Sequence, residues 1–337
     1  MRVTGGEARR RTKLAEEIHE QLIKHLTDAH AIEEQALTQL RRAPRIAGDA
    51  ELASVFETHL AETERQEARV RGRLAAHAAQ PSTVKDVAGK AGGVGMLLFA
   101  KFNPDTPGKL VSHAYSYEHM ELAAYELLAR VAGRAGDQQT VETAQDIAGE
   151  EREMARRLEA RFDNAVAASL RDLDPDHAGD QLNSYLADAH AIEKQSLSLL
   201  ERGPKLVSDQ RLATLFEQHL GETRSQEQRL RSRLLARGSS PSRVKNIGMR
   251  LGGFAVGGFF GAQPDTPAKL TGFAFAFEHL EIAGYEQLKR VAQRAGDPDT
   301  VELAESIAAE ERSMAARIAA QWDAAVDAAL ESAGVAR

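Results

Sequence analysis

Apolar residues recur along almost the whole chain at spacings of three and four, the period of a helix with one greasy face. The stripe Leu22, Leu26, Ala29, Leu37 and Leu40 predicts a helix A from about Ala15 to Arg42, which Pro44 cannot continue. Leu52, Phe56, Val70 and Leu74 predict a helix B over about Ala50 to Ala78, stopping before Pro81. Helix C opens after Pro104-Asp105-Thr106-Pro107, where Thr106 can cap the first turn and Pro107 sits at a tolerated first position. It carries Leu110, Ala114, Leu128 and Val131 and closes at Gly136, a left-handed stop; Asp137 then starts a helix D that runs through Ala144, Ile147, Leu158 and Phe162 to about Leu170.

A shift of 160 residues lays the second half on the first without a gap. LTDAHAIEEQAL from Leu26 matches LADAHAIEKQSL from Leu186, and FETHLAETERQE from Phe56 matches FEQHLGETRSQE from Phe216. About half of the positions from Leu26 to Leu170 are identical to their partners. The expected organisation is two tandem four-helix bundles, 15–170 and 182–332, joined by a linker over 171–181 around Asp174 and Pro175. Within each half the A–B and C–D connections are short, whereas B and C are separated by about 28 residues. Two hairpins and one long crossover is the connectivity of ferritin-like bundles, so the fold class is all-α.

Each stripe is interrupted by acid on its apolar face. Glu33 falls on the stripe of helix A; His59, Glu62 and Gln66 on that of B; Glu118, Glu121 and Tyr125 on C; Glu151 and Met154 on D. The second half repeats the set with Glu193, His219, Glu222, Glu278, Glu281, Glu311 and Met314. An ionised carboxylate inside a bundle costs several kcal/mol unless a cation compensates it, and no Lys or Arg lies on the central turns of these stripes. Two divalent ions would reduce five negative charges per half to one, and residues three apart on a helix could reach metals roughly 3.5 to 4 Å from each other. Oxygen-rich ligation with imidazole suits iron or manganese, two ions per bundle, better than structural zinc.

Composition narrows the rest. With 43 Lys plus Arg against 50 Asp plus Glu, a net charge of -7 provides no basic field for nucleic acid or an anionic bilayer. Zero cysteines remove disulfides, thiolate metal sites and a Cys nucleophile, and fit a reducing cytosol. The first residues lack the apolar region of a signal peptide, and no run of 18 apolar residues occurs, so the expectation is a soluble, cytoplasmic protein.

The segments HLAET at His59, YEHMELAAY at Tyr117 and AGEERE at Ala148 resemble the core motifs of the YciE/YciF group of ferritin-like proteins across nearly all of both halves. The resemblance implies a four-helix ferritin-like fold akin to rubrerythrin, a link to stress, and two fused copies forming a pseudo-dimer, with further self-association open. It implies Glu33, Glu62, Glu118, Glu121 and Glu151 as metal ligands, with Fe(II) and oxygen or peroxide as reaction partners. The chain departs from the common Glu-x-x-His order: helix B reads His-x-x-Glu and helix D places Met154 in the histidine position.

Two other readings stand beside this one: a metal-free stress or scaffold protein whose polar seam sets bundle pairing, and a peripheral membrane protein using the glycine-rich crossovers from Ala91 and Gly252. His59 is either a ligand or a donor to Glu62. His119, about 100° off the stripe, is expected behind the ligands or at the surface, His30 and Asp28 in a polar contact on the helix flank, and Met154 and Met314 in core packing. Tyr125 is either an ordinary core residue or a donor to a carboxylate, and Glu150 is expected to be solvated.

Overall fold

The computed structural model describes residues 5–81, 106–171, 177–239 and 266–335. The glycine-rich crossovers and the Asp174–Pro175 linker lie outside these residues. Among the described residues all regular structure is helical. The first half contains α1 (Gly5–Leu40), the single turn α2 (Ala43–Ile46), α3 (Ala50–Ala76), α4 (Thr106–Ala135), α5 (Gln138–Glu159) and α6 (Phe162–Leu170). The second contains α7 (Ala178–Leu200), a 3-10 turn at Gly203–Leu206, α8 (Gln210–Ala236), α9 (Thr266–Arg294), α10 (Pro298–Ala319) and α11 (Trp322–Ser332). No described helix is long and apolar enough to cross a membrane.

Local chemistry sets most of the boundaries. Asp49 and Asp209 cap α3 and α8 by accepting from the second and third backbone N–H groups after them. Gly136 and Gly296 take the left-handed backbone, with φ of 74° and 66°, that turns α4 into α5 and α9 into α10. Asp137 then caps α5 through Thr140 N–H, and also receives Arg73 and His77 from α3. That carboxylate therefore ties the start of α5 to the end of α3 at one end of the bundle.

Three boundaries differ from the sequence expectation, the first being that α1 begins at Gly5 rather than near Ala15. Pro44 does more than end helix A, because it occupies the first turn of α2, where its missing N–H costs nothing. Helix D is two helices, broken at Ala160–Arg161 without glycine or proline. Arg161 N–H tightens onto the carbonyl of Leu158, three residues back, and the chain swings outward. The break aims Phe162, Ala165 and Val166 back into the core; in the second half it does so for Trp322, Ala325 and Val326. Phe162 meets Tyr115 edge-on at 5.4 Å between centroids, and Trp322 meets Phe275 at 5.2 Å.

The halves pack through α4 and α9, and residues 160 apart face each other there. His119 and His279 stack with centroids 3.4 Å apart, and Ser116 donates to the carbonyl of its own counterpart, Ala276. Lys109 pairs with Asp188 at 3.4 Å and, reciprocally, Lys269 with Asp28 at 3.2 Å. Self-contact of equivalent residues is the signature of a two-fold arrangement, here within one chain. Apolar side chains from both halves form one continuous cluster across this seam. Truncating Phe162 or Trp322 to alanine is expected to cost about 3 to 5 kcal/mol each, read as a lowered urea midpoint. A loss under about 1 kcal/mol would mean that the helix break does not serve the seam.

Candidate metal centre

Four helices converge on one cluster in the first half. Glu33 comes from α1, His59 from α3, Glu118 and Glu121 from α4, and Glu151 from α5, and none is more than 3% exposed. His59 Nε2 lies 3.1 Å from Glu118 Oε2 and 3.7 Å from Glu151 Oε2. One ligand atom from each of His59, Glu118, Glu121 and Glu151 falls within 4.8 Å of all the others. Both oxygens of Glu121 are buried with no hydrogen-bond partner, and the carboxyl of Glu151 has only that of Glu118 beside it. Groups left in that state destabilise a fold unless something else meets them.

Glu33 and Glu62 stand apart from this inner group. Glu33 accepts the phenolic hydrogen of Tyr125, itself 1% exposed, so Tyr125 is a carboxylate donor as well as a core residue. Glu62 lies toward the rim with its side chain 19% exposed, bridged by Arg157 of α5 at 2.8 Å and by His59 Nδ1 at 3.2 Å. His59 Nδ1 faces Glu62 and its Nε2 faces the cluster, so the Glu62 carboxylate fixes the orientation of the ring. Arg157 was not anticipated from the stripes, since it sits one position off the apolar face of α5 and reaches across to α3. Its recurrence as Arg317, on Glu222 at 2.6 Å, was the available signal.

The second half is similar but looser. His219 Nε2 sits 2.7 Å from Glu278 Oε1, and His219, Glu278 and Glu311 form the close group. Glu281 is equally buried, with Ser196 beside it, but is not drawn into that trio. Tyr285 donates to Glu193 as Tyr125 does to Glu33. Glu222, 39% exposed, turns to Arg317, while His219 Nδ1 has Thr223 Oγ1 at 3.5 Å.

Electrostatics follow the burial. Desolvation lifts Glu33 to about 8 against the opposing hydrogen bond from Tyr125, and lifts Glu121 and Glu151 well above the carboxylate range with help from neighbouring acids. Burial would lower His59, but the charge of Glu118 and the hydrogen bonds to Glu118 and Glu62 carry it to about 9. Glu62 falls to about 2 because His59 and Arg157 hold its charged form. His219, without that carboxylate on Nδ1, is lowered by burial instead, and Glu278 is raised by burial to about 8. In the first half, then, burial favours the protonated form of Glu33, Glu121 and Glu151, while the carboxylates around His59 favour its imidazolium. A cation among these ligands would displace the protons.

The remaining residues singled out in the sequence have other partners. His119 is neither beside the cluster nor at the surface: it stacks on His279 at the seam, its Nδ1 donating to the carbonyl of Tyr115. His30 pairs with Glu67 at 3.0 Å between α1 and α3, as His190 does with Glu227 at 2.8 Å. Asp28 reaches the other half through Lys269. Met154 and Met314 are fully buried in the apolar core. Glu150 is half-exposed as expected, yet anchored by Arg69 and Gln66.

The family model described as a domain of unknown function, DUF892, matches the chain twice in tandem, over residues 17–171 and 177–331. No solved structure matches the chain.

Proposed function

The chain belongs to the DUF892 family across both halves, and from that premise we propose that each half is a ferritin-like dinuclear carboxylate centre of the YciE/YciF kind. It would take two Fe(II) or Mn(II) ions per half and oxidise Fe(II) with oxygen or peroxide in iron homeostasis or stress. The observation that carries this reading is the buried convergence of His59, Glu118, Glu121 and Glu151, one ligand atom of each within 4.8 Å of the others, with both oxygens of Glu121 left without a hydrogen-bond partner. Oxygen donors with a single imidazole per half suit iron or manganese, so the residues present fit such ions.

Under this reading His59, Glu118, Glu121 and Glu151 hold the ions, joined by His219, Glu278, Glu281 and Glu311 in the second half. Glu33 and Glu193 complete the sets while their tyrosines fix which oxygen stays free. Glu62 keeps the Nδ1 proton of His59 in place and so leaves Nε2 for the cluster. Glu222 lacks that contact with His219 and serves only at the rim. Leu26, Phe56 and Leu128 help keep bulk water from the acids. Two Fe(II) held there would supply the two electrons that, with two protons, reduce one hydrogen peroxide to two waters and leave two Fe(III).

The alternative, a metal-free polar seam, draws on the protonated state of His59, which already gives the first cluster a positive charge. Anaerobic Fe(II) loading, desalting and metal counting separate the two. About four irons per chain are expected for two dinuclear sites, and a count near zero for both iron and manganese would leave the seam.

A further inference from the structure

Beside the first cluster lies a cavity of about 30 Å³ whose wall includes Gln39, Phe56, His113, Tyr117 and Glu118. That is about twice the minimum space a single water requires. Its lining is mostly apolar, but Gln39 Nε2 is buried there without a hydrogen-bond partner. The imidazole of His113 adds a second polar edge, and burial with the nearby charge of Lys109 keeps it neutral at pH 7, so it can donate at one nitrogen and accept at the other. Tyr117 is committed elsewhere, donating to the carbonyl of Ile32 at 2.9 Å.

Internal duplication supplies the comparison. At the same places the second half has Leu199 for Gln39, Phe273 for His113 and Phe277 for Tyr117. Leu199 and Phe273 pack against the apolar core, and the rings of Phe273 and Phe277 lie 5.9 Å apart. Both polar handles are therefore replaced by bulk hydrocarbon, while Glu118 and its counterpart Glu278 are kept. A cavity with two polar handles against a cluster acid in one copy and hydrocarbon in the other points to different access rather than different ligands.

Building on the dinuclear reading, we infer that the first half alone docks a small hydrogen-bonding oxidant of the size of hydrogen peroxide, with Gln39 and His113 as its handles and Glu118 as the inner wall. Leu199 and Phe273 close the equivalent approach, so the second half holds metal and turns over slowly. Dioxygen, which has no use for the two handles, gains less from this cavity than peroxide does.

The test uses the full chain in two backgrounds, Glu278→Gln with Glu281→Gln to silence the second cluster, and Glu118→Gln with Glu121→Gln to silence the first. Each is loaded anaerobically with Fe(II), its iron counted, and then mixed with hydrogen peroxide; azide affinity is measured on the ferric forms. Similar iron counts are expected, with peroxide oxidation ~10-fold or more faster when the first cluster is intact. Adding Gln39→Leu and His113→Phe to that background should bring its rate down to that of the other and weaken azide by a similar factor, without changing the iron count. Leu199→Gln with Phe273→His should speed the second cluster. Equal rates in the two backgrounds, or indifference to the Gln39 and His113 changes, would overturn the inference while leaving the metal reading intact. Failure of both backgrounds to hold iron would overturn the metal reading, and this inference with it.

Discussion

Replacing Glu121 and Glu281 together by glutamine is expected to make the metal-free protein more stable and to abolish most of its metal retention. Each of these carboxyls is 1% exposed, Glu121 with both oxygens unpartnered and Glu281 with only Ser196 beside it, and burial raises each well above the carboxylate range. At pH 7 the unfolded chain carries them ionised, so folding without metal must take up a proton at each. That uptake costs roughly 1.4 kcal/mol for every pH unit above the ordinary carboxylate value. An amide of the same shape is neutral in both states and removes the cost. It exchanges one unsatisfied neutral group for another, so little is lost in return. The expected readouts at pH 7 are a melting temperature in chelator higher by about 3 °C or more, and loss of most of the iron retained after desalting. A double variant that melts lower than wild type in chelator, or that keeps its full complement of iron, would contradict the assignment of these glutamates. Stability given up at a buried site in exchange for ligand chemistry is a familiar trade in functional sites.

Much of this arrangement was legible because the acids break a pattern that is otherwise strict. Glu33, Glu118, Glu121 and Glu151 occupy helical positions that Leu or Ala would fill, and all four recur at a shift of 160 residues. Gly136 and Asp137 likewise announced a turn through their own backbone and capping chemistry. What stayed hidden depends on distances between helices. Arg157 lies one residue off its stripe, and a long side chain crossing to α3 leaves no periodic trace on α5. The break at Ala160–Arg161 contains neither glycine nor proline; it is set by what Phe162 and Trp322 bury against after the chain turns. His119 looked peripheral to its own bundle because the surface it covers belongs to the other one. A pseudo-two-fold seam has no periodic signature within either half; its sequence trace is that both copies keep the histidine at 119 and 279 and the lysine and aspartate that pair across it.

Without metal, the protein is expected to be most stable near pH 5 and to weaken steadily toward pH 9, and metal should reverse that slope. Glu33 and Glu278 titrate at about 8 in the fold against 4.5 in the unfolded chain. Between those values the unfolded chain binds fewer protons than the native one, so stability falls as pH rises. The raised Glu121, Glu151, Glu193, Glu281 and Glu311 act in the same direction. His59, raised to about 9, adds stability that is present below 6.5 and lost as pH climbs through 9. Four histidines oppose this trend: His113, His119, His219 and His279 are held neutral by burial and lose stability for the fold as pH drops below 6.5. Seven acids outweigh four imidazoles between 4.5 and 6.5, giving a shallow decline there. Above 6.5 the opposition ends and the decline steepens; Glu33 and Glu278 alone would remove up to about 3 kcal/mol per pH unit. Glu62 and Glu286, both lowered to about 2, contribute stability above 4.5 that is lost as acid protonates them, which sets the low side of the maximum. A divalent ion inverts the trend above neutrality, because it binds only the deprotonated carboxylates and its stabilisation grows as protons leave. Thermal unfolding in chelator and in Mn(II), compared at pH 5 and pH 8, reads both effects. The expected result is a gap of about 10 °C or more at pH 8 that closes at pH 5. A metal-free protein that gains stability between pH 6.5 and 8 would show that these carboxyls are ionised in the fold, and an equal gap at both pH values would place the metal elsewhere.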